Sequence, residues 1–263
     1  YSNIYFQAKT YTGNGSAGHA ITLDGSEDMQ PDLVWIKQRD SRDHFLFNSV
    51  VGATKYLASN LTQTEQTDAN TMTGFNSNGF TLGNGVGCNE NTDTHVAWCW
   101  KESATAGFDI VLYSGNGTAG NTFSHSLSAI PELVFCKIRN AEVADWYTYN
   151  ASLGNTKNIY LNTTGAVSTS TLWWNATTPT SSVVTLGDQT GNNGNARNFV
   201  AYLFAPKQGY SAMGSYTGNG DADGVFIYLG FKPAFFLCKN YQDSGDNWIL
   251  HDNKRNTSNV TDE

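Results

Sequence analysis

Hydrophobic residues along this chain fall into short runs that clusters of Gly, Asn, Ser and Thr separate. No long segment carries apolar residues at the i, i+3, i+4, i+7 spacing of an amphipathic helix. The runs are rich in aromatic and branched side chains, which is typical of strands bounded by turns. The clearest runs are "DLVWIK", "HFLFNSV", "ELVFCKI", "DWYTY", "NIYLN" and "FVAYLFA". The pattern predicts short antiparallel strands, about seven in each 100 residues.

The same run of residues recurs three times. "YTGNG" occupies Tyr11–Gly15, "YSGNG" Tyr113–Gly117 and "YTGNG" Tyr216–Gly220, spaced by 102 and 103 residues. The neighbouring segments repeat in the same order, with "PDLVWIK", "PELVFCK" and "PAFFLCK" as one example. Ordered matches at a nearly fixed period indicate internal duplication. We therefore predict three domains: unit 1 (1–106), unit 2 (107–208) and a partial unit 3 (209–263).

The expected fold is all-β, with tandem β-sandwich domains of jelly-roll or lectin-like type in units of about 100 residues. A jelly roll or a small barrel is the alternative to a plain sandwich. Short linkers should join the units as beads of globular domains, which could also pack end to end, and "TGNG" should turn a hairpin after the first strand. Unit 3 lacks the segments that match "VVTLG" and "VAYLF". Either the chain is a fragment of a longer array, or a partner supplies the missing strands.

Composition argues against several classes of partner. The net charge is −8 and the chain has no basic stripe, so binding to nucleic-acid phosphates is not expected. No apolar run approaches 18 residues, so no membrane insertion is expected. Two of the four cysteines, Cys136 and Cys238, align with Ile36 of unit 1, which indicates small core residues. Cys88 lies in a Gly/Asn-rich loop, where an exposed thiol is expected.

The sequence patterns predict no catalytic residue, no metal site and no cofactor. "GNGSAG" and "GNGTAG" spell a dinucleotide motif, but no helix pattern follows them. The opening of a calcium loop at Asn219–Gly224 lacks the Glu that would complete it. Carboxylates for glycoside hydrolysis stand where polar residues are ordinary at strand starts and turns. They are Asp32, Glu132, Asp145 and Asp246. We therefore expect a protein that is not an enzyme.

The ligand-binding candidates are Trp173, Trp174 and Asn175, in "WWNATTPT". If this segment is an extended strand, neighbouring side chains point to opposite faces, and one indole should be buried and the other exposed. An exposed Trp beside Asn and Thr would suit a sugar ring. A contact between domains or chains is the alternative reading of the same pair.

The motifs together resemble a known group of proteins. "SYTGNG", "KPAFFLCKN", "DNWILHDNKRN", "DWYTYNASLGNTKNIYLNTT" and "NFVAYLFAP" resemble tandem β-domains in large structural proteins of marine bacteriophages. The resemblance covers the whole chain. It implies a tail fibre, a tail-associated protein or a capsid-attached appendage, with a concanavalin-like or lectin-like fold. It transfers no catalytic or binding residue.

The expected function is therefore that of a non-enzymatic virion structural or adhesion protein on the surface of an extracellular particle. Its partners would be other virion proteins and identical subunits, with host-surface polysaccharide as the candidate ligand. Linked weak sites would bind such a surface by avidity. The alternatives are a carbohydrate-binding module of a secreted enzyme, an extracellular adhesin, and a polysaccharide depolymerase.

Overall fold

A computed structural model describes residues 2–140 and 143–255, which form an almost entirely β protein. Unit 1 begins with a short 3-10 turn at Ser2–Ile4 and has the strands β1 (Phe6–Thr12), β2 (His19–Thr22), β3 (Leu33–Gln38), β4 (His44–Asn48), β5 (Lys55–Ala58), β6 (Gln66–Thr67), β7 (Met72–Asn76), β8 (Gly79–Leu82) and β9 (Thr94–Trp100), with the helical turn α1 (Val86–Asn89). Unit 2 has β10 (Phe108–Ser114), β11 (Asn121–Ser124), β12 (Leu133–Ile138), β13 (Tyr147–Asn150), β14 (Lys157–Tyr160), β15 (Ser168–Thr169), β16 (Val183–Leu186) and β17 (Asn198–Phe204), with α2 (Thr190–Asn193). Unit 3 has β18 (Phe235–Cys238) and β19 (Ile249–Asp252).

Unit 1 is a sandwich of two antiparallel sheets. The larger sheet has the order β1-β9-β3-β4-β5-β6, and the smaller one has the order β2-β8-β7. A buried cluster fills the space between them, with Ile21 and Phe80 from the small sheet facing Val34 and Ala97 from the large one. The all-β sandwich prediction is confirmed.

Unit 2 has the same strand order in its large sheet, but its small sheet has two strands where that of unit 1 has three. Its large sheet runs β10-β17-β12-β13-β14-β15, which matches the order of unit 1 strand by strand. Its small sheet pairs β11 with β16, and Phe123, Val184 and Leu186 cover the large sheet there. The number of copies and their boundaries rest on the alignment of the repeats within the sequence.

Both faces of the large sheets are buried, and the sequence pattern shows why. Along β9, Val96, Trp98 and Trp100 enter one hydrophobic cluster, while Ala97 and Cys99 enter another. Successive side chains of a strand point to opposite faces, so a strand covered on both sides reads as a continuous apolar run. The run "VAWCW" is therefore the signature of a central strand with two buried faces.

The outer face of each large sheet packs into one core that all three units share. This cluster contains Trp98 of unit 1 and Tyr202 of unit 2, both buried, and Phe235 of unit 3 packs against it. The Phe235 ring lies 5.2 Å from the ring of Trp100. The units therefore pack against one another, because the apolar outer faces of the sheets would be exposed in isolated units.

The same kind of indole hydrogen bond occurs at both junctions between units that follow each other in the chain. Between units 1 and 2, Trp146 Nε1 donates to the Ala58 carbonyl at 2.8 Å. Between units 2 and 3, Trp248 Nε1 donates to the Tyr160 carbonyl at 2.9 Å. Both pairs are separated by 88 residues.

A second pair of contacts follows the same rule. Lys137 Nζ donates to the carbonyl of Thr62 at 2.8 Å, and Lys239 Nζ donates to that of Thr164 at 3.3 Å. The two junctions are thus built by equivalent side chains reaching equivalent carbonyls of the preceding unit.

Unit 3 returns to unit 1 and closes a ring of three. Asn48 of unit 1 donates from Nδ2 to the hydroxyl of Tyr202 in unit 2 at 3.0 Å. At the equivalent positions, Trp98 Nε1 of unit 1 donates to Asp252 Oδ2 of unit 3 at 3.1 Å. The Arg255 guanidinium lies over the same Trp98 ring at 5.2 Å, a cation–π contact. Each unit therefore contacts both of the others.

The "TGNG" segment does not turn a hairpin, contrary to the prediction. β1 pairs with β9 in the large sheet, whereas β2 pairs with β8 in the small sheet, so the loop carries the chain between sheets. The loop packs against α1, where the Tyr11 hydroxyl donates to the Cys88 carbonyl at 2.7 Å. Cys88 is itself fully buried, so the expectation of an exposed thiol is also wrong.

Candidate functional site

Both indoles of the predicted ligand site are buried. Trp173 is 6% exposed and Trp174 is 0% exposed, and both belong to the core of unit 2. The Trp174 ring meets Tyr149 edge-on at 5.7 Å. The prediction that one indole faces outward is wrong, because this segment is a turn and not a strand. A ligand-binding role for these residues stays a prediction, and it lacks the exposed ring on which it rested.

The backbone around this pair explains its burial. Asn175 and Ala176 have positive φ angles of 51° and 48°, so the chain turns sharply after the second indole. The Trp173 carbonyl accepts a bond from Asn192 Nδ2 at 3.0 Å. The tight turn folds both rings under the small sheet, and half-buried Asn175 remains as the polar member of the trio.

The carboxylates proposed for glycoside hydrolysis take part in local structure. Asp32 accepts from Ser49 Oγ at 2.8 Å and from the Glu102 amide at 2.8 Å. Asp145 accepts from Asn162 Nδ2, and Asp246 accepts from Asn240 Nδ2, each at 2.8 Å. Glu132 is half-buried, and its backbone amide donates to the Phe204 carbonyl. These bonds stabilise strand starts and turns.

Glu102 is a carboxyl group that the sequence analysis missed. Burial, a hydrogen bond to Asp109 and the charges of Asp109 and Asp32 together raise its pKa to about 7. The buried Asp109 also accepts from the Ser126 hydroxyl at 2.9 Å. Glu102 lies in "KESATAG", the segment that joins units 1 and 2. The corresponding segment after unit 2, "APKQG", has no acidic residue, so comparison of the repeats does not indicate an acidic pair here.

The calcium-like segment of unit 3 is a self-bonded polar turn. Asn219 Oδ1 accepts from the Asp221 amide at 3.2 Å, and Asp221 Oδ1 accepts from the Asp223 amide at 3.0 Å. Within residues 2–140 and 143–255, no group of three or more His, Cys, Asp or Glu side chains could hold a metal ion. Over the same residues, no helix is long and apolar enough to cross a membrane.

Unit 3 carries an exposed apolar surface that we call the open face, made of Tyr216, Phe226, Phe236, Ile249 and His251. Phe226 is 86% exposed and Ile249 is 52% exposed. The Phe236 ring stacks on His251 at 6.5 Å. In the part of unit 3 that the structure describes, no strands corresponding to β8 and β9 or to β16 and β17 cover these positions.

Buried equivalents of the open face occur in both complete units. Phe226 aligns with Ile21 and Phe123, which are 4% and 5% exposed. Phe236 aligns with Val34 and Val134, both 0% exposed. The open face is thus equivalent to the inner face of the sandwich in units 1 and 2.

A cavity of about 240 Å³ lies where units 1 and 3 meet. Its lining includes Gln7, Asp24 and Lys254, and Lys254 Nζ is 3.0 Å from Asp24 Oδ1. Gln7 is occupied by backbone partners, since its Nε2 donates to the Asn3 carbonyl and its Oε1 accepts from the Gly25 amide. The polar groups here serve the junction between units.

Comparison with known proteins places the whole chain in one family. No curated protein and no solved structure matches the chain. A model for a domain of unknown function, DUF7483, matches residues 2–263. This span includes both sandwiches and the hairpin of unit 3. The chain therefore belongs to the DUF7483 domain family.

Proposed function

We propose that this protein is a non-enzymatic structural and adhesion protein of a virus particle, a tail fibre or capsid-attached appendage of a bacteriophage. The observation that carries the proposal is the shared aromatic core, in which Trp98, Tyr202 and Phe235 join three units into one body. The carboxylates Asp32, Asp145 and Asp246 bond to loops and strand ends. A rigid body of this kind suits a protein that presents binding loops. The resemblance to phage structural proteins favours presentation on the surface of a virus particle.

Host contact would fall on three equivalent loops that follow the repeated tyrosines. The exposed residues are Asn14–Gly18 in unit 1, Asn116–Gly120 in unit 2 and Asn219–Asp223 in unit 3. The loops are short: the first two carry Asn with Ser or Thr, and the third carries Asn219, Asp221 and Asp223, so all three offer hydrogen bonds to sugar hydroxyls. Three weak sites on one rigid body, multiplied over identical subunits, would give avidity for a host polysaccharide.

The location is tested on particles from a phage that encodes this chain. Immunogold labelling with an antibody to the purified chain should decorate the particle surface, with preimmune serum as the control. Particles that lack the chain, by labelling and by mass spectrometry, would contradict the virion assignment.

The adhesive role is tested with the chain displayed in many copies on beads and applied to bacterial surface polysaccharides. Replacing the exposed alanine in each loop by glutamate (Ala17, Ala119 and Ala222) should abolish retention. Ala151→Glu, an exposed alanine outside these loops, is the matched control and should bind as the native chain does. Equal retention of both variants would refute the loop assignment.

A further inference from the structure

We propose that the loop Asn14–Gly18 of unit 1 opens in acid, and that His95 is the group whose protonation opens it. The equivalent loop of unit 2, Asn116–Gly120, has Phe199 in place of the histidine and should stay closed. The opening is a property of the chain by itself. Its consequence, regulation of one of the three candidate contact loops, rests on the proposed function.

His95 is linked to the loop through the backbone of Asp93. The Asp93 carbonyl accepts the Gly13 amide at 2.8 Å and lies 3.1 Å from His95 Nδ1. The Asp93 carboxylate accepts from Gln38 Nε2. The imidazole also stacks on Tyr11, with the ring centres 5.0 Å apart. The histidine and the start of the loop therefore share one hydrogen-bond acceptor.

These contacts fix which nitrogen of the imidazole carries the proton. A carbonyl oxygen only accepts, so His95 Nδ1 donates to Asp93 and Nε2 has a lone pair. Gln38 lies opposite His95 in the β3–β9 pair, and its Oε1 is likewise an acceptor. Both acceptor atoms are buried and have no hydrogen-bond partner among the residues that the structure describes. Buried polar atoms without partners destabilise a fold.

Unit 2 shows that the fold does not need polar side chains at these two positions. Phe199 stands at the position of His95. Ile138 stands at that of Gln38, and all four side chains are at most 2% exposed. Phe199 stacks on the repeated tyrosine of its own unit at 5.0 Å, the distance found for His95. An apolar pair thus holds the same loop, and the polar pair of unit 1 indicates a role beyond packing.

The surroundings of the imidazole disfavour its protonation in the closed loop. Burial has the largest effect and lowers the pKa of His95 from its ordinary value of 6.5. The bond to the Asp93 backbone and the charges of Asp93 and Glu90 oppose that shift, whereas the charge of Lys37 adds to it. The imidazole of the closed loop is therefore neutral at neutral pH.

The phenol and the two thiols in this part of the core stay neutral over the same pH range. Burial raises the pKa of Tyr11, whose hydroxyl donates to the Cys88 carbonyl in α1. Burial also raises the pKa of the Cys88 and Cys99 thiols. A second histidine, His19, meets the Tyr11 ring at 6.3 Å, and its Nδ1 lies 2.7 Å from Asn89 Oδ1. His19 therefore needs its own control.

Acid opens the loop because His95 binds a proton more readily in water than in the buried site. In the open loop its pKa is near 6.5, so protonation favours that state. The ratio of open to closed loop should rise about tenfold from pH 7.5 to pH 5.5. Exposure of the ring separates His95 from the Asp93 carbonyl that also accepts the Gly13 amide, so the loop opens with it.

Amide hydrogen exchange, followed by NMR and corrected for intrinsic rates, measures the opening at the two pH values. The amides of Gly13 and Gly15 donate to backbone carbonyls, and their protection should fall about tenfold at pH 5.5. Gly115 and Gly117 make the equivalent bonds in unit 2 and should show no such fall. Protonation of Glu102 favours the folded state at pH 5.5, so faster exchange in one loop would not reflect global unfolding.

His95→Phe introduces the side chain that unit 2 carries, and it should remove the pH response while the loop stays protected. His19→Asn is the matched control and should respond as the native chain does. Unit 2 has Asn121 at that position, and its Nδ2 donates to Asn193 Oδ1 at 2.7 Å, so the variant can make the same bond.

The proposal is overturned if the two loops of the native chain respond to pH alike, if His95→Phe keeps the response, or if His19→Asn loses it. The comparison of the two loops needs no variant, so it remains decisive even if a variant fails to fold.

Host binding is measured separately, with the chain on beads as above. Retention of polysaccharide should be weaker at pH 5.5 than at pH 7.5 for the native chain, and equal at both for His95→Phe. Equal retention by the native chain would show that loop opening does not regulate binding. No retention at either pH would contradict the proposed function, while the exchange measurement would still decide whether the loop opens.

Discussion

At the scale of single residues, identical residues at equivalent positions of the repeats make equivalent contacts where their surroundings match. Asn89 and Asn193 are both fully buried, and both hold the loop that contains the repeated glycines. A buried amide is stable only when its donor and acceptor groups are bonded. This requirement, and not a turn preference, accounts for the loop's constancy in the two complete units.

The pH dependence of stability should depend on Glu102. Its pKa is about 7 in the fold and near 4.5 when exposed, so the folded state holds more protons between these values. Stability should therefore fall as pH rises from about 4.5 to about 7 and then level off. Glu102→Gln keeps a neutral hydrogen-bonding side chain and should unfold at higher urea than the native chain at pH 8, but not at pH 4.

Glu27→Gln removes a charge at an exposed position away from Asp109 and Asp32 and serves as the control. Urea unfolding at the two pH values measures the difference for each variant. If the urea midpoint of Glu102→Gln at pH 8 equals that of Glu27→Gln, the charged pair of Glu102 and Asp109 does not destabilise the fold.

At the scale of elements, the units are joined by indole N–H groups that reach the ends of strands in the preceding unit. Trp146 bonds the last residue of β5, Ala58, and Trp248 bonds the last residue of β14, Tyr160. A carbonyl at a strand end has no ladder partner on that side, so a side chain from the next unit can satisfy it.

Trp146→Phe should cost about 1–3 kcal/mol more than Trp174→Phe in the free energy of unfolding. Both side chains are 0% exposed and both changes remove the same atoms, so their packing losses are similar. Trp146 donates to a carbonyl, whereas Trp174 Nε1 has no hydrogen-bond partner among the residues that the structure describes. Chemical denaturation measures the free energy of unfolding of both variants. Equal losses would show that packing alone, without the Nε1 hydrogen bond, stabilises the junction.

At the scale of the whole molecule, ring closure depends on the return of unit 3 to unit 1. Asp252 connects the two, since its side chain accepts from Trp98 and pairs with Arg255 at 2.5 Å. Arg255 and its backbone amide hold the pKa of Asp252 below its ordinary value against the effect of burial, which raises it. The carboxylate is thus charged and bonded within the junction.

Asp252→Ala should lower the free energy of unfolding by about 1–3 kcal/mol, because it leaves the Trp98 N–H without its acceptor. The loss should fall first on unit 3, whose amides should exchange faster than those of units 1 and 2. Calorimetry and hydrogen exchange measure both effects. Asp221→Ala, in the exposed polar turn, is the control, and a loss no larger than in that variant would show that the ring closes without Asp252.

Much of the fold could be predicted because its signals are local. The run "VAWCW" predicts a strand from its residue types, and the fixed order of segments predicts repeated architecture. The interpretation of Trp173 and Trp174 failed because adjacent indoles point to opposite faces only in a strand. Two left-handed residues turn the chain there instead. The role of "TGNG" failed for a related reason, since its partner Asn89 lies 75 residues away.

The sequence by itself determined the strands, their alternation and the repeat, because side-chain period and turn residues act over a few positions. Only the tertiary structure decided which faces are covered. The second face of each large sheet is buried by other units, and Phe226 is exposed where Ile21 and Phe123 are buried, although all three occupy equivalent positions. Burial is a property of what packs against a residue, and that depends on contacts between segments that are far apart along the chain.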